Sequence, residues 1–343
     1  MSGKSPVRTA VVGCGYWGKN LVRNFAALSD LRVCCDASQE TLARMQTAYP
    51  GVEATRNYDE VLGRGDVDAV VLATPAPTHA ELAIAALEKG KHVFVEKPLA
   101  LNTADAEATV RAADAADRIL MVGHLLVYHP AVNYIKEMAD SGELGEVYYL
   151  YSQRVNLGKV RSDENALWSL APHDIAVALY LLDEEPEEVH ATGQGFLQGG
   201  IEDVTFVTLR FGSGRVAHIH VSWLDPHKER RLTVVGSRRM VVFDDMEPQE
   251  KVRVYDKGVE QAGTDRPHYE TYAELLQLRQ GDIVIPRIQA GEPLATECTE
   301  FLRAVETGIP PRSDGRDGLR VVKALEAAQD ALARCRLVYA GGK

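Results

Sequence analysis

Residues 7–122 alternate between short apolar runs and stretches whose apolar positions recur every third or fourth residue. The runs Val7–Val12, Leu31–Cys35, Ala69–Ala73, His92–Val95 and Ile119–Val122 predict strands. The stretches Trp17–Leu28, Gln39–Ala48, Ala80–Lys89 and Ala104–Ala116 predict helices. Asn102 or Thr103 suits the N-cap of the last helix, and Gly90 the position just past the end of the one before. Such alternation predicts an α/β fold, with a doubly wound parallel sheet and helices on both faces. Ligands bind beyond the carboxyl ends of strands in such sheets. The segments to watch are therefore Gly13–Gly18, Asp36, Thr74–His79, Glu96–Pro98 and Gly123–His124.

The pattern changes after Tyr128. Helices are expected over Ala131–Ala139 and Pro172–Leu182, with a strand at Val147–Asn156 and a polar stretch between them. Period-two alternation then predicts strands near Val189–Gly195, Val204–Phe211, Val216–Trp223, Arg231–Val235, Met240–Phe243 and Val252–Tyr255. Short polar turns such as Gly212-Ser213-Gly214 make them neighbours in a large open, mainly antiparallel sheet. Residues 256–292 carry little periodicity and are expected to form an extended excursion. Helices at Leu294–Glu306 and Gly318–Ala333 close the chain.

Two domains follow from this grammar: residues 1–127, and an α+β domain over 128–343 whose closing helices can pack back on the first. One face of the open sheet needs a cover, so a homodimer or homotetramer through that face is expected. His218 and His220 share one side of the Val216–Trp223 strand. No third ligand stands at a suggestive spacing, so no metal site is expected.

The first predicted strand runs into Gly13-Cys14-Gly15-Tyr16-Trp17-Gly18, and the second is followed at once by Asp36. A strand, a Gly-x-Gly-x-x-Gly turn, a helix and an acid after the next strand make up the fingerprint of a Rossmann dinucleotide-binding unit. Gly13 permits the tight turn, Gly15 lets the backbone approach a pyrophosphate, and Gly18 lets the helix sit close to the strand. Unpaired N–H groups at the helix start then face the anion. Asp36 accepts hydrogen bonds from ribose hydroxyls and repels a 2′-phosphate, which favours NAD over NADP. Tyr16 or Trp17 is placed to pack over such a cofactor.

The formal net charge of -11 argues against a nucleic-acid partner, which needs a basic face. No apolar run reaches the roughly 20 residues of a membrane span, and Met1-Ser2-Gly3-Lys4 lacks a signal-peptide core. Cys14, Cys34, Cys35, Cys298 and Cys335 form no metal spacing, so a reducing cytoplasm is the expected setting.

Three further segments carry a family resemblance. They are Ala73-Thr74-Pro75…His79, then Gly90-Lys91-His92-Val93-Phe94-Val95-Glu96-Lys97-Pro98-Leu99, then Glu292-Pro293-Leu294…Glu297…Phe301. Together they resemble the Gfo/Idh/MocA oxidoreductases over nearly the whole chain. Within that family, Gly15–Asn20 and the segment from Asn156 through Trp168 to Asp174 look most like nucleotide-sugar 3-dehydrogenases. Those include enzymes of the UDP-N-acetyl-2-amino-2-deoxyglucuronate type and sugar 3-ketoreductases. The resemblance implies a cis peptide at Lys97-Pro98 and a catalytic Lys97. It also implies a catalytic His173 four residues after an aspartate, a position held here by Ser169. It further places Thr74, Pro75 and His79 along the cofactor.

Physical chemistry supports both bets. Lys97 follows an apolar strand at the sheet's carboxyl edge, where burial and a cationic nicotinamide disfavour its ammonium form. Glu96 is placed to orient Lys97 or the nicotinamide ribose. Pro172 suits the first turn of a helix, which would set His173 where the dipole favours neutral imidazole. Candidate substrate contacts are His124, Tyr128, His129, Arg154, Asn156, Lys159, Arg161, Asn165, Trp168 and His173. The arginines suit a diphosphate, and Trp168 a sugar ring. The expected activity is hydride transfer between NAD and a ring carbon, C3, of a nucleotide-activated hexose derivative. Dehydrogenation of a free hexose or inositol, NAD-dependent glycoside hydrolysis and non-catalytic NAD(H) sensing remain as alternatives.

Overall fold

Runs of valine and leucine without polar alternation are what strands covered on both faces require. In the computed structural model, which describes residues 5–261, 276–289 and 291–340, these runs become β1 (Arg8–Val12), β2 (Asp30–Cys35), β4 (Ala69–Leu72), β5 (His92–Glu96) and β6 (Leu120–Gly123). A short strand, β3 (Glu53–Thr55), joins them in a parallel sheet of order β3-β2-β1-β4-β5-β6. The order reverses between β1 and β4, and a crevice for ligands opens at such a switch point. Helices α1 (Gly18–Leu28), α2 (Gln39–Ala48), α3 (Tyr58–Gly63), α4 (His79–Glu88) and α5 (Thr103–Ala116) alternate with the strands. Asn102 caps α5 by accepting from the Asp105 amide at 2.8 Å. Gly90, with φ of 73°, follows α4. The sequence pattern missed β3 and α3, which are too short to show a period.

The chain divides into two compact units, Met1–His129 with Gly291–Glu326, and Pro130–Ala290 with Ala327–Lys343. The second unit is built on a sheet of order β14-β13-β12-β11-β7-β10-β9-β8. Its strands are β7 (Val147–Leu157), β8 (Pro186–Gln194), β9 (Val204–Phe211), β10 (Val216–Ser222), β11 (Leu224–Gly236), β12 (Met240–Asp244), β13 (Val252–Gln261) and β14 (Leu276–Val284). Among the described residues of this sheet, only β7 and β10 pair in parallel. Helix α6 (Pro130–Asp140) packs on α7 (Ala166–Leu182), and α7 lies against β7, β9 and β10. Ala217, Ile219 and Val221 of β10 are fully buried.

Two expectations need correction. The extended excursion over 256–292 includes two paired strands, because β13 runs on to Gln261 and pairs with β14. Its outer residues Val259, Leu278, Ile283 and Val284 are exposed, so no buried face imposes an alternation on the sequence. Residues 262–275 of the same stretch lie outside the described residues. The second correction concerns α7, which starts at Ala166 rather than Pro172. Asn165 caps it by accepting from the Trp168 amide at 3.2 Å, and Pro172 lies inside the helix. An interior proline costs about 3 kcal/mol; burial of most of this apolar helix offsets that cost.

The closing helices are α8 (Pro293–Thr307) and α9 (Gly315–Ala340). In the first unit α8 packs on α1, where Phe301 meets Phe25 and Phe94 edge to face at 6.1 and 5.7 Å. The chain after α8 is tied to β6: Ser313 accepts from the Val122 amide at 2.9 Å and its hydroxyl donates to the Val122 carbonyl at 2.8 Å.

Candidate active site

The glycine turn is built as its sequence requires. Gly13 has φ of 86°, and a Cβ there would stand 2.6 Å from the Ala73 carbonyl oxygen. A Cβ on Gly18 would overlap the Gly13 carbonyl oxygen, whereas one on Gly15 would meet nothing within 4 Å. Helix α1 starts without a side-chain cap and without an acid in its first turn, its Lys19 and Asn20 amides donating to the Gly15 and Trp17 carbonyls at 3.2 and 2.9 Å. Asp36 is held by the Cys14 amide at 2.7 Å and the Ser38 amide at 2.8 Å, one to each oxygen. Each carboxylate oxygen keeps a further lone pair for a ribose hydroxyl. An open cradle at Gly15, a helix start free of acids and a fixed acid beside them fit an adenine dinucleotide.

Tyr16 is 90% exposed. Trp17 bridges this loop to β5, its indole N–H donating to Glu96. Thr74 and Pro75 follow β4 at the same edge, and Thr78 donates to the Thr74 hydroxyl at 2.8 Å. His79 is buried and works as a brace. Its ring nitrogens face the Pro98 carbonyl at 2.7 Å and the Thr74 carbonyl at 2.8 Å. It thereby fixes the loop after β4 to the residue following Lys97. Burial lowers the His79 pKa despite those two acceptors.

Lys97 is half-buried at the end of β5, on the amino side of a cis Lys97-Pro98 bond. Its amide donates to Glu96 Oε2 at 3.3 Å. Burial pushes Glu96 up to about 7, against the lowering effects of Trp17 and Lys97. His124, after β6, is fully enclosed, and burial with the nearby Lys97 charge brings it down to about 3. It is therefore neutral at working pH. Tyr128 is buried and its hydroxyl lies 2.9 Å from Ser313 Oγ, while Arg312 stacks 5.1 Å over its ring. Tyr128 thus has a structural partner, a tie whose second half comes from far along the chain. His129 is also buried.

The remaining candidates belong to the second unit. His173 sits in the second turn of α7, half-buried and one residue past Pro172. The helix-start argument for its neutral form therefore does not apply. Arg154 is engaged with Asp174 through Nε at 2.6 Å and Nη2 at 3.3 Å, with side chains only 12% and 8% exposed. That pair ties β7 to α7 beside His173, and leaves Arg154 no fork for a diphosphate. Arg161 pairs with Asp163 at 2.9 Å and Glu164 at 2.8 Å in its own loop. Lys159 is exposed in the same loop, and Asn156 lies half-buried near the end of β7. Asn165 is spent on structure: besides its cap it donates to Glu202 at 2.7 Å and Gln329 at 2.9 Å. Trp168 also donates to Gln329, at 3.2 Å, which orients its ring.

One residue of the first unit was not singled out for chemistry. Glu297 shares the buried face of α8 with Leu294, Cys298, Phe301 and Leu302. An acid in an apolar helical stripe is the sequence signal that marks it.

Comparison with known proteins agrees with this geometry. The oxidoreductase family with an NAD-binding Rossmann fold, Gfo/Idh/MocA, matches residues 7–124, and that family's C-terminal domain matches residues 132–242. The chain is 28% identical to UDP-N-acetylglucosamine 3-dehydrogenase from Acidithiobacillus ferrooxidans, over 93% of this chain and 95% of that protein. A solved structure of that enzyme superimposes with a TM-score of 0.79 at 27% identity, covering 95% of this chain and 97% of the other. Myo-inositol 2-dehydrogenase from Thermotoga maritima is also 28% identical, over 97% of this chain and 98% of its own length. GenD2 from gentamicin A biosynthesis, solved in complex with NAD, is 25% identical with a TM-score of 0.79, covering 97% and 96%. Among the described residues, no helix is long and apolar enough to cross a membrane. Its glycine cradle, its Glu-Lys-Pro edge and these matches together make this chain an NAD-dependent sugar or polyol oxidoreductase of the Gfo/Idh/MocA family.

Proposed function

We propose that the chain oxidises or reduces C3 of a nucleotide-activated hexose derivative. The observation that carries this reading is Lys97, a half-buried amine at the carboxyl end of β5, braced through Pro98 by His79. When bound, NAD supplies the two-electron redox chemistry. Turning a ring carbinol into a ketone also releases the hydroxyl proton, and that proton is assigned to Lys97, with His173 as its partner. A lone pair on the Lys97 amine takes the proton in oxidation and returns it in reduction. Ser169 stands at the family's aspartate position, so this is a two-residue proton-handling set rather than a triad. Arg154 orients the α7 segment that carries His173 by holding its neighbour Asp174.

Similarity to UDP-N-acetylglucosamine 3-dehydrogenase supports the nucleotide sugar. So does the exposed loop carrying Lys159 and Arg161. The carboxylate partners of Arg161 are its own loop neighbours and exchange readily for a diphosphate. Equal identity to an inositol dehydrogenase favours a second reading, a free polyol. A panel of UDP-sugars, TDP-sugars, free hexoses and myo-inositol decides between them. Reduction of NAD is followed by absorbance, and binding by thermal unfolding. A ligand at a hundred times its Kd stabilises the fold by about 2.7 kcal/mol, so the matching sugar is expected to stand out in both assays. Turnover confined to myo-inositol or hexoses overturns the nucleotide-sugar reading.

The open sheet face is proposed as a homo-oligomer interface. Tyr151 and Thr208 flank His218 across the strands, and Phe206 lies opposite His220, its ring stacked on the imidazole at 4.4 Å. Tyr149, Tyr151 and Phe206 are exposed on it. Phe206→Asp is expected to lower the mass measured by light scattering to that of a smaller assembly or monomer. An unchanged mass assigns the interface elsewhere.

A further inference from the structure

Two apolar side chains in the second unit are left in solvent on a turn that is itself firmly held. Phe196 is 69% exposed and Leu197 52%, between β8 and β9. Their amides both donate to one carboxylate oxygen of Asp203, at 2.6 and 2.9 Å. Asp203 is fully buried. Its other oxygen accepts from the Trp223 indole at 2.6 Å, and its amide donates to the Gln194 carbonyl at 2.9 Å. Gly195 lets the turn close on itself, since a Cβ there would stand 2.2 Å from the Ile201 carbonyl oxygen. The backbone under the Phe196 ring is thus fixed from below, while the ring itself would gain by being covered.

The same buried pair, Glu202 and Asp203, also anchors the loop that carries Lys159 and Arg161. At its entry the Gly158 amide donates to the Trp223 carbonyl at 3.2 Å, and the Trp223 amide to the Asp203 carbonyl at 3.2 Å. At its exit the Ala166 amide donates to the Glu202 carbonyl at 2.9 Å, and the Asn165 side chain to the Glu202 carboxylate at 2.7 Å. Between these ends, the Gln198 side chain donates to the Arg161 carbonyl at 2.9 Å. Gln198 follows Phe196 by two residues, so the exposed ring and the chain of Arg161 belong to one braced assembly. Leu157, Val160 and Leu224 are exposed at the same loop, Leu157 opposite Leu224 in the sheet. Apolar surface beside two cations, on a chain of net charge -11, suits a ligand with a flat apolar end and an anionic middle.

We propose that the Phe196 turn is the nucleoside subsite: the base of a nucleoside diphosphate lies on the Phe196 ring while its phosphates meet Lys159 and Arg161. Gln198 sets the spacing between the two halves, and Asp203 is the positioning residue beneath the turn. This deepens the nucleotide-sugar reading and rests on it. Every base has a π-face, so such a platform grips a base while choosing only weakly among bases.

Calorimetric titration of the NAD-loaded enzyme with UDP and with inorganic pyrophosphate separates the base from the phosphates. Wild type is expected to bind UDP about tenfold more tightly than pyrophosphate, the scale of one stacked base. Phe196→Leu keeps an apolar side chain but no π-face, and should bring UDP down to the level of pyrophosphate. Phe196→Trp should hold UDP as wild type does. The exposure of this ring means that neither change threatens the fold. Equal UDP affinity in wild type and Phe196→Leu overturns the subsite and leaves the nucleotide-sugar reading standing. An enzyme that binds neither UDP nor pyrophosphate overturns both. A smaller particle mass for Phe196→Leu with UDP affinity intact assigns the ring to a subunit contact instead.

Gln198→Ala tests the brace. It unties the two halves, so UDP is expected to weaken several-fold while pyrophosphate, which touches only the cationic loop, stays near wild type. Equal weakening of both ligands would reduce Gln198 to a support for the Arg161 loop and contradict its spacing role.

Discussion

Lys97→Ala is expected to lower kcat by about 10²–10⁴-fold, the usual contribution of a positioned acid or base. NADH affinity should change by only a few-fold. The pyrophosphate cradle is assigned to the Gly13–Gly18 backbone and the start of α1, and the ribose contact to Asp36. The brace at the sheet edge runs from His79 to the Pro98 carbonyl, and the Lys97 amide donates to Glu96. The split between lost turnover and kept cofactor binding is what marks proton handling, and single-turnover kinetics with fluorescence titration measure both. Retention of full activity by Lys97→Ala and by His173→Ala would remove both residues from the chemistry.

Gly18→Ala is expected to damage folding and cofactor binding together. The new methyl would overlap the Gly13 carbonyl oxygen, and backbone cannot rotate away as a side chain can. Overpacking of that kind costs about 1–3 kcal/mol or more. Relief requires α1 to lift from β1, exposing Leu21, Val22 and Phe25, all fully buried. Gly15→Ala is the matched control, because its methyl would meet open space. It should leave thermal stability near that of wild type while weakening NADH binding at least tenfold, since the methyl stands where the pyrophosphate approaches the backbone. Equal melting temperatures for the two variants would contradict this account of the turn.

How much of this was legible in the sequence depends on how local the physics is. The glycine turn could be read because its constraints are steric and fall within a few residues of one another. The place of Lys97 just past β5 was legible through Pro98 and the apolar strand before it. The start of α7 was not, since Pro172 is as good a first-turn residue as an interior one, and only the Asn165 cap decides between them. Arg154, Asn165 and Trp168 looked available for substrate because their partners Asp174, Glu202 and Gln329 lie far along the chain. The β13–β14 hairpin escaped because its outer half buries neither face, so no period appears. Glu297 was visible in the pattern as an acid in an apolar stripe, but its burial depends on how α8 packs.

Isotope transfer tests the central claim most directly. UDP-N-acetylglucosamine carrying deuterium at C3 is incubated with NAD and the enzyme, and both products are weighed by mass spectrometry. The account predicts NADH that has gained the label and a sugar that has lost it together with the hydroxyl proton, at a rate that collapses in Lys97→Ala. Turnover with the label still in the sugar would place the chemistry at another carbon, and no turnover would rule out this substrate.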